Sequence, residues 1–599
     1  MHVTNDTDNF FGNLSLRAAL LAAVLLPTLL VFSFSLNCGF VWDDGRYIQK
    51  NPIIKAITTE NLYKMVRGDQ SPTWHPLTWL SHAVDYRLYR LNPAGHHLSN
   101  LIVYVLATAC VFYLFALLLR TAAPARSDTA VLVGAALGAL LFAIHPLRVE
   151  SVVWIAERKG LLAGLFFCLS LIAWVRYAQV AGSARRIRYA AALGFFLLAL
   201  MSKPTVVMLP VVLLLLDVFP LNRFRGRESG FRIFLEKVPF FALSLIAGIL
   251  AIKGEAEGKA LTSFQVLSLG DRLVHMVRSW AFYVEKTLFP TQLTPFYPIP
   301  ADASVFSVSF LSALALTAGL TGAAIWQWRR GRPLWLGAWL YYLAAGLPII
   351  GIIHAGRHLM ADRYSYLPTL SFYFLAAAGM AKLLDGKRFA GPTLAVAVTV
   401  IALFASLSLH QINVWSNPLA FWRHVTAVFP DRIPIAHNNL GDVYLSKGYY
   451  KDAEKEFKTA LRALPEFPIA LVNLGKVYAR TNRFEEAETI LRKAIAMAPG
   501  SLPGHSVLAK FFVQRGLLDA AEKEFKIALK IQPDSADDHN NLGGVYRAKG
   551  LYRQAEREYE AAYKVDPDFE IALINLITLY REMSALKIRP NGKKEGGHE

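Results

Sequence analysis

The stretch LRAALLAAVLLPTLLVFSFSLNCGFVWDD, Leu16 to Asp44, joins two contrary chemistries. Leu16 to Leu36 is an apolar run long enough to cross the roughly 30 Å hydrocarbon core of a bilayer as a helix. It is longer than the apolar core of a cleavable signal, lacks a small-residue cleavage pattern and leads straight into two adjacent aspartates, so it reads as a first spanning helix. Similar runs recur as far as Leu394 to Leu409, separated by short polar or proline-containing loops. With 54% hydrophobic residues and a mean hydropathy of +0.34, they predict an all-α polytopic bundle of about eleven spans.

Basic residues fall in alternate loops: Arg120 and Arg126; Arg185, Arg186 and Arg188; Arg223, Arg225 and Arg227; Arg329, Arg330 and Arg332; Lys382, Lys387 and Arg388. The positive-inside rule makes these loops cytoplasmic. The net charge of +19 is thus explained by topology, and no basic face or arm suggests nucleic acid. Residues 38–97 then form a large outer loop, and the outer face also takes the loop after His145, the turn at Lys203, the segment from about Gly254 to Ser304, His354 to Tyr366 and everything after His410. The segment 272–290 is short for a span and carries Arg278, Glu285 and Lys286, so it reads as interfacial or re-entrant. Cys38, Cys110 and Cys168 are widely spaced and imply no disulfide framework or zinc site.

The expected organisation is a cytoplasmic N-terminus (1–14), a membrane domain (15–410), a linker (411–433), a repeat array (434–585) and a disordered tail (586–599). At a 34-residue period Leu440, Leu474, Leu508 and Leu542 superpose, as do Gly441, Gly475, Ala509 and Gly543. Tyr444, Tyr478, Phe512 and Tyr546 align, and so do Pro465, Pro499, Pro533 and Pro567. This pattern resembles the tetratricopeptide repeat, in units 434–467, 468–501, 502–535 and 536–569 with a capping helix over 570–585, stacked as an α-solenoid that binds an extended peptide or a protein.

The unusual polar residues gather on the outer face: WDD, WHPLTW from Trp74, HPLRVESVVWIAERK from His145, MSKP from Met201 and HAGRHLMADRYSYLP from His354. Ionisable groups beside a bilayer are costly unless paired or functional, so this convergence marks a site. Asp43 and Asp44 repel one another, which raises the proton affinity of one and suits abstraction of a hydroxyl proton; the plain alternative is an interface anchor paired with Arg46 or Lys50.

A multi-spanning domain, an acidic pair after the first span, HPLRVESVVWIAERK and repeats on the same side resemble the transmembrane and tetratricopeptide repeat family of O-mannosyltransferases and, more broadly, the C-type glycosyltransferases. The resemblance implies inverting transfer of a sugar from a polyprenyl-phosphate donor to an acceptor hydroxyl, with no certain cofactor. By position, Asp43 becomes the base and Asp44 its second. The leaving phosphate and the sugar fall to His75, His145, Arg148, Glu150, Arg158, Lys159, Lys203, Arg357, His358 and Arg363, for each of which an interfacial anchor or an ion pair with Glu157 or Asp362 is the plain alternative. His354, His358 and Asp362, at i, i+4 and i+8, offer a metal site, a reading that Gly356 and the adjacent arginines weaken. The sparse cysteines fit a bacterial inner membrane with periplasmic repeats; the same topology in a eukaryote places the repeats in the endoplasmic reticulum lumen. A non-catalytic scaffold, a lipid-linked glycan ligase and a transporter are the competing readings; the transporter lacks paired broken helices.

Overall fold

The computed structural model describes residues 14–68, 74–225, 229–257, 268–298, 304–350 and 360–586. Among them every named element is helical, and one isolated antiparallel bridge joins Tyr297 to Met360. The chain divides into two compact units, Met1–His424 and Val425–Glu599.

In the first unit α1 (Leu14–Ser33) is followed by α2 (Thr59–Arg67) and α3 (Pro76–Tyr89), within the 38–97 segment, then α4 (Pro93–Ala122), α5 (Asp128–Ile144), α6 (Val149–Val153), α7 (Arg158–Gln179), α8 (Ser183–Ser202) and α9 (Leu209–Val218). The remainder is α10 (Gly230–Leu235), α11 (Val238–Glu257), α12 (Leu269–Leu288), α13 (Val308–Arg329), α14 (Pro333–Gly346), α15 (Leu370–Asp385), α16 (Lys387–Val414) and α17 (Pro418–Val428), which ends just past the division. A helix occupies each interval between the basic loops and the outer polar stretches, as the hydropathy pattern predicts. Six of these, among the described residues, are long and apolar enough to span by themselves, and α5 with the bent Pro146–Val153 extension makes a seventh. Pro204–Val218 and Pro333–Ile349 are shorter apolar helices. The α12 helix is less apolar: it buries Val274, Ala281, Tyr283 and Val284, leaves Leu273 and Leu288 exposed, and carries Arg272, Arg278, Glu285 and Lys286.

Close helix contact depends on small residues, as expected where lipid tails give apolar side chains no extra drive to associate. A Cβ on Gly138 would lie 2.5 Å from that of Ala377, and one on Gly134 would lie 2.7 Å from that of Ala381, so α5 and α15 approach to backbone distance. This contact fixes the end of α5, from which the HPLR turn springs.

The second unit is a stack of helical hairpins: α18 (Pro434–Ser446) with α19 (Tyr450–Ala463), α20 (Pro468–Arg480) with α21 (Phe484–Met497), α22 (Leu502–Gln514) with α23 (Leu518–Ile531), α24 (Ala536–Ala548) with α25 (Tyr552–Val565), then α26 (Glu570–Ala585). The repeat glycine does what its spacing predicts: a Cβ on Gly441 would meet the Phe457 ring at 2.7 Å, and one on Gly543 the Tyr559 ring at 2.8 Å. The tail from 587 onward lies outside the described residues.

Candidate functional site

Past α1 the chain enters the loop segment whose two aspartates part company. Asp44 is 1% exposed. Its Oδ2 accepts the Val41 N–H at 3.0 Å and its Oδ1 the Ala156 N–H at 2.9 Å, so it clips the loop to the turn between α6 and α7. Burial pushes its carboxyl up to about 7 against these two N–H donors, and the Asp43 charge adds only a smaller push. The expected mutual repulsion is therefore present, but desolvation is the main cause. Asp43 is half-buried, and among the described residues no side chain hydrogen-bonds its carboxylate. Burial raises its proton affinity as well, opposed by the charges of Lys159, Arg363 and Arg46. A carboxylate with free lone pairs, a raised pKa and cations within electrostatic reach has the chemistry of a general base.

Lys159 and Arg363, together with Lys203, are held by two buried glutamates. Glu150 accepts the Arg363 backbone N–H at 2.7 Å through Oε2 and pairs with the Arg363 guanidinium through Oε1. Glu157 pairs with Lys203 and lies 4.0 Å from both Lys159 and Arg363. Aromatic faces complete the enclosure: Lys159 stands 5.2 Å from the Tyr47 ring and 5.8 Å from Trp154, and Arg363 stands 5.2 Å from Trp154 and 4.9 Å from Tyr364. His75 is 6% exposed, and no described side chain hydrogen-bonds its ring. Burial, then the charges of Lys159 and Lys203, keep it neutral by lowering its pKa well below the usual value. The structure thus brings together Asp43, Asp44, His75, Glu150, Lys159, Lys203 and Arg363 of the expected set.

Three other expected residues face elsewhere. Arg158 is a brace inside the bundle, ion-paired with Asp85 at 2.5 Å and donating to Asn100 Oδ1 at 2.7 Å and the His96 carbonyl at 2.8 Å. Arg148 is fully buried, donates to Ser365 at 2.8 Å and Thr369 at 3.1 Å, and lies 5.1 Å from the Phe142 ring and 5.4 Å from Tyr366. His145 caps its own turn, accepting the Leu147 N–H at 3.2 Å through Nδ1 while Nε2 donates to the Thr287 carbonyl at 3.0 Å. Arg357 and His358, with His354 of the metal alternative, lie outside the described residues. Asp362, the remaining member of that trio, accepts the Tyr297 hydroxyl at 2.7 Å. Burial and the charge of Glu150 push its carboxyl well up.

A second group, His82, Asp85 and His96, brings its ligand atoms within 4.8 Å of one another. The Arg158 guanidinium already occupies the Asp85 carboxylate, so a metal ion there would face a buried like charge. Sequence reasoning passed over this group, and also the parts played by Trp154 and Tyr47 in the enclosure. Glu157 entered only as a possible partner, which is what it is.

Lys203, Arg363, Tyr364 and Gly160 line a cleft of ≈ 30 Å³, bounded further by Ala163, Ala345, Ile349 and Leu367. A second cavity of ≈ 70 Å³ is walled by Leu171, Val212, Leu216, Gly337, Ala338, Tyr341 and Phe374. Two helices, α7 and α14, contribute to both. On α14, positions 337, 341 and 345 follow at intervals of four and so share one face. On α7, Gly160 and Ala163 serve the polar cleft and Leu171 the apolar cavity. The polar cleft and the apolar cavity therefore lie along the same two helices, α7 and α14, with the lysine and arginine at the cleft.

The family model described as tetratricopeptide repeat matches residues 438–501 and 506–568. Along the larger part of its length the chain is similar to proteins named protein O-mannosyl-transferase, as the sequence resemblance implied. A Caenorhabditis elegans member is 24% identical over 452 residues, covering 72% of this chain and 61% of that protein. Tmtc3 of Drosophila melanogaster is 23% identical, covering 72% and 53%, and TMTC1 of Homo sapiens is 24% identical, covering 75% and 55%. The chain thus spans 53 to 61% of the length of these curated relatives.

Proposed function

We propose that this chain is a membrane glycosyltransferase that moves a hexose, mannose by the names of its relatives, from a polyprenyl-phosphate carrier to a hydroxyl group of a protein at the outer face. The observation that carries the reading is the meeting of Asp43 with Lys159 and Arg363, beside a cleft lined by Lys203 and Arg363 and an apolar cavity lined by the same two helices, which we take as the two ends of one donor groove. An isoprenoid phosphate has the same polarity along its length.

In this mechanism the acceptor hydroxyl lies beside Asp43, which takes its proton as the oxygen attacks the anomeric carbon. The bond from that carbon to the phosphate oxygen breaks on the opposite face, which inverts the configuration. Negative charge gathers on the departing phosphate, and Lys203 and Arg363, already fixed by Glu157 and Glu150, meet it without reorganisation. His75, neutral and without a side-chain partner, is placed to hydrogen-bond a sugar hydroxyl. Asp44 holds the loop and takes no proton from substrate. Tetratricopeptide arrays bind peptides or proteins in their concave faces, and here the repeats present the acceptor protein or a partner.

The test is turnover of radiolabelled polyprenyl-phosphate mannose by the purified full chain in detergent, with Gly337→Leu as the diagnostic variant. Gly337 lines the apolar cavity, and only Phe219 lies within 4 Å of a Cβ placed there, at 3.7 Å. A leucine intrudes on the groove and is expected to raise KM for the long-chain donor far more than for a short-chain analogue. Equal effects on both would remove the groove from the account. No turnover by the wild type with any polyprenyl-phosphate sugar would favour a non-catalytic scaffold.

A further inference from the structure

The segment after the last long apolar helix, expected as a plain linker from residue 411, is built into the first unit beside Asp43. Gln411 Nε2 and His424 Nε2 both donate to the Leu293 carbonyl, at 3.2 and 2.8 Å. The Gly39 N–H donates to the Ser416 carbonyl at 2.9 Å, pinning the start of the Asp43 loop to this segment. Trp415, Phe421 and Trp422 are buried, with ring centroids 4.6 Å apart for Trp415 and Phe421 and 4.8 Å for Phe421 and Trp422.

This wall holds Trp42. The φ of Trp42 is +57°, a left-handed conformation that bulky residues rarely adopt. Strain of this kind persists only where the surroundings over-determine it, and it concentrates at functional sites. Here the indole is stacked on Trp154 at 4.4 Å and 17°, meets Phe296 at 4.5 Å, and faces Phe421 at 6.2 Å and 28°. The Arg363 guanidinium lies 5.7 Å from the same ring. One peptide further on is Asp43, and after it comes Asp44 with both oxygens bound to backbone N–H groups. The carboxylate is therefore carried between a clamped ring and a clipped neighbour.

The geometry points to Phe421 as a positioning residue for Asp43: by closing the aromatic clamp on Trp42 it holds the left-handed turn that aims the carboxylate at the acceptor hydroxyl. This rests on the reading of Asp43 as the base. The segment that leads into the repeats is then a wall of the site as well as a tether.

The experiment uses the full chain in detergent and has two readouts. With radiolabelled polyprenyl-phosphate mannose, Phe421→Ala is expected to lower kcat about 10- to 100-fold, the scale on which a small misplacement of a catalytic group acts, while KM for the donor stays near the wild-type value. Its acid limb moves to lower pH, because water reaching Asp43 relaxes the burial that raises its pKa. Trp42→Phe keeps a ring in the clamp and retains most of kcat, whereas Trp42→Ala behaves as Phe421→Ala. The second readout is the rate of carbodiimide labelling of Asp43, followed by peptide mass spectrometry, which rises in Phe421→Ala and not in Trp42→Phe. Wild-type kcat, pH profile and labelling rate in Phe421→Ala would overturn the clamp. An inactive wild type with faster labelling in Phe421→Ala would overturn the proposed function and leave the clamp standing.

Discussion

Two neighbouring carboxylates differ in role because of what their oxygens meet. Asp44 is a loop clip, so Asp44→Asn places an amide NH₂ opposite one of two buried backbone N–H groups and is expected to cost about 1–3 kcal/mol of stability; thermal unfolding of the purified protein checks this. Asp43 must be ionised to act, and its raised pKa means that kcat falls as pH drops through a value above the ordinary carboxylate range; a pH–rate profile whose acid limb sits at an ordinary carboxylate pKa contradicts the account. Removing Arg363 leaves Glu150 buried and unpaired, so Arg363→Gln is expected to cost ~3–5 kcal/mol in addition to donor binding, whereas Glu150→Gln with Arg363→Met restores folding without activity. The motifs WDD and HPLRVESVVWIAERK were legible as a site; the direction of each side chain was not. Successive residues on a helix point about 100° apart, and so Arg158 turns inward to Asp85 while its neighbour Lys159 turns to Tyr47. Arg148 and His145 were likewise at the right end of the membrane and on the wrong side of their turn.

At the scale of single elements, the repeat hairpins were the most legible part of the chain, because their marker residues are those that decide packing. Their ion pairs were not, since the partners lie nineteen positions apart on different helices. His437 pairs with Glu456, His505 with Glu524 and His539 with Glu558, each at 2.6 Å. The second ring nitrogen of His539 donates to the Pro533 carbonyl at 2.9 Å, so both nitrogens face acceptors. The Glu558 hydrogen bond raises the His539 pKa above its ordinary value. The stabilisation this gives is fully present below the unfolded histidine pKa and is lost as pH rises through the higher folded value. Amide exchange in α24 and α25 is therefore expected to quicken as pH rises through that window after correction for intrinsic rates, and His539→Leu with Glu558→Ile removes the effect. The second repeat already carries Leu471 and Ile490 at these positions and serves as a built-in control.

Over the whole molecule, the hydropathy and charge pattern located the helices of the first unit and the start of the repeats. The fate of residues 411–424 was hidden, because Trp415, Phe421 and Trp422 read only as part of a linker until their partners Trp42 and Phe296 are known. The positive-inside rule puts the Asp43 loop and the repeats on the same side, away from the loop at Gly331. A cysteine introduced at Gly516 is expected to react with a membrane-impermeant maleimide in intact, outward-facing membranes, and one at Gly331 only after permeabilisation; the reverse order contradicts the assigned sidedness. The central claim is that Asp43 is the base of a sugar transfer from a lipid phosphate, and the most direct measurement compares wild type with Asp43→Asn for turnover and for binding of radiolabelled polyprenyl-phosphate mannose. The account predicts that Asp43→Asn binds the donor as the wild type does and turns over at least about a hundredfold more slowly; turnover at the wild-type rate by folded Asp43→Asn would contradict it.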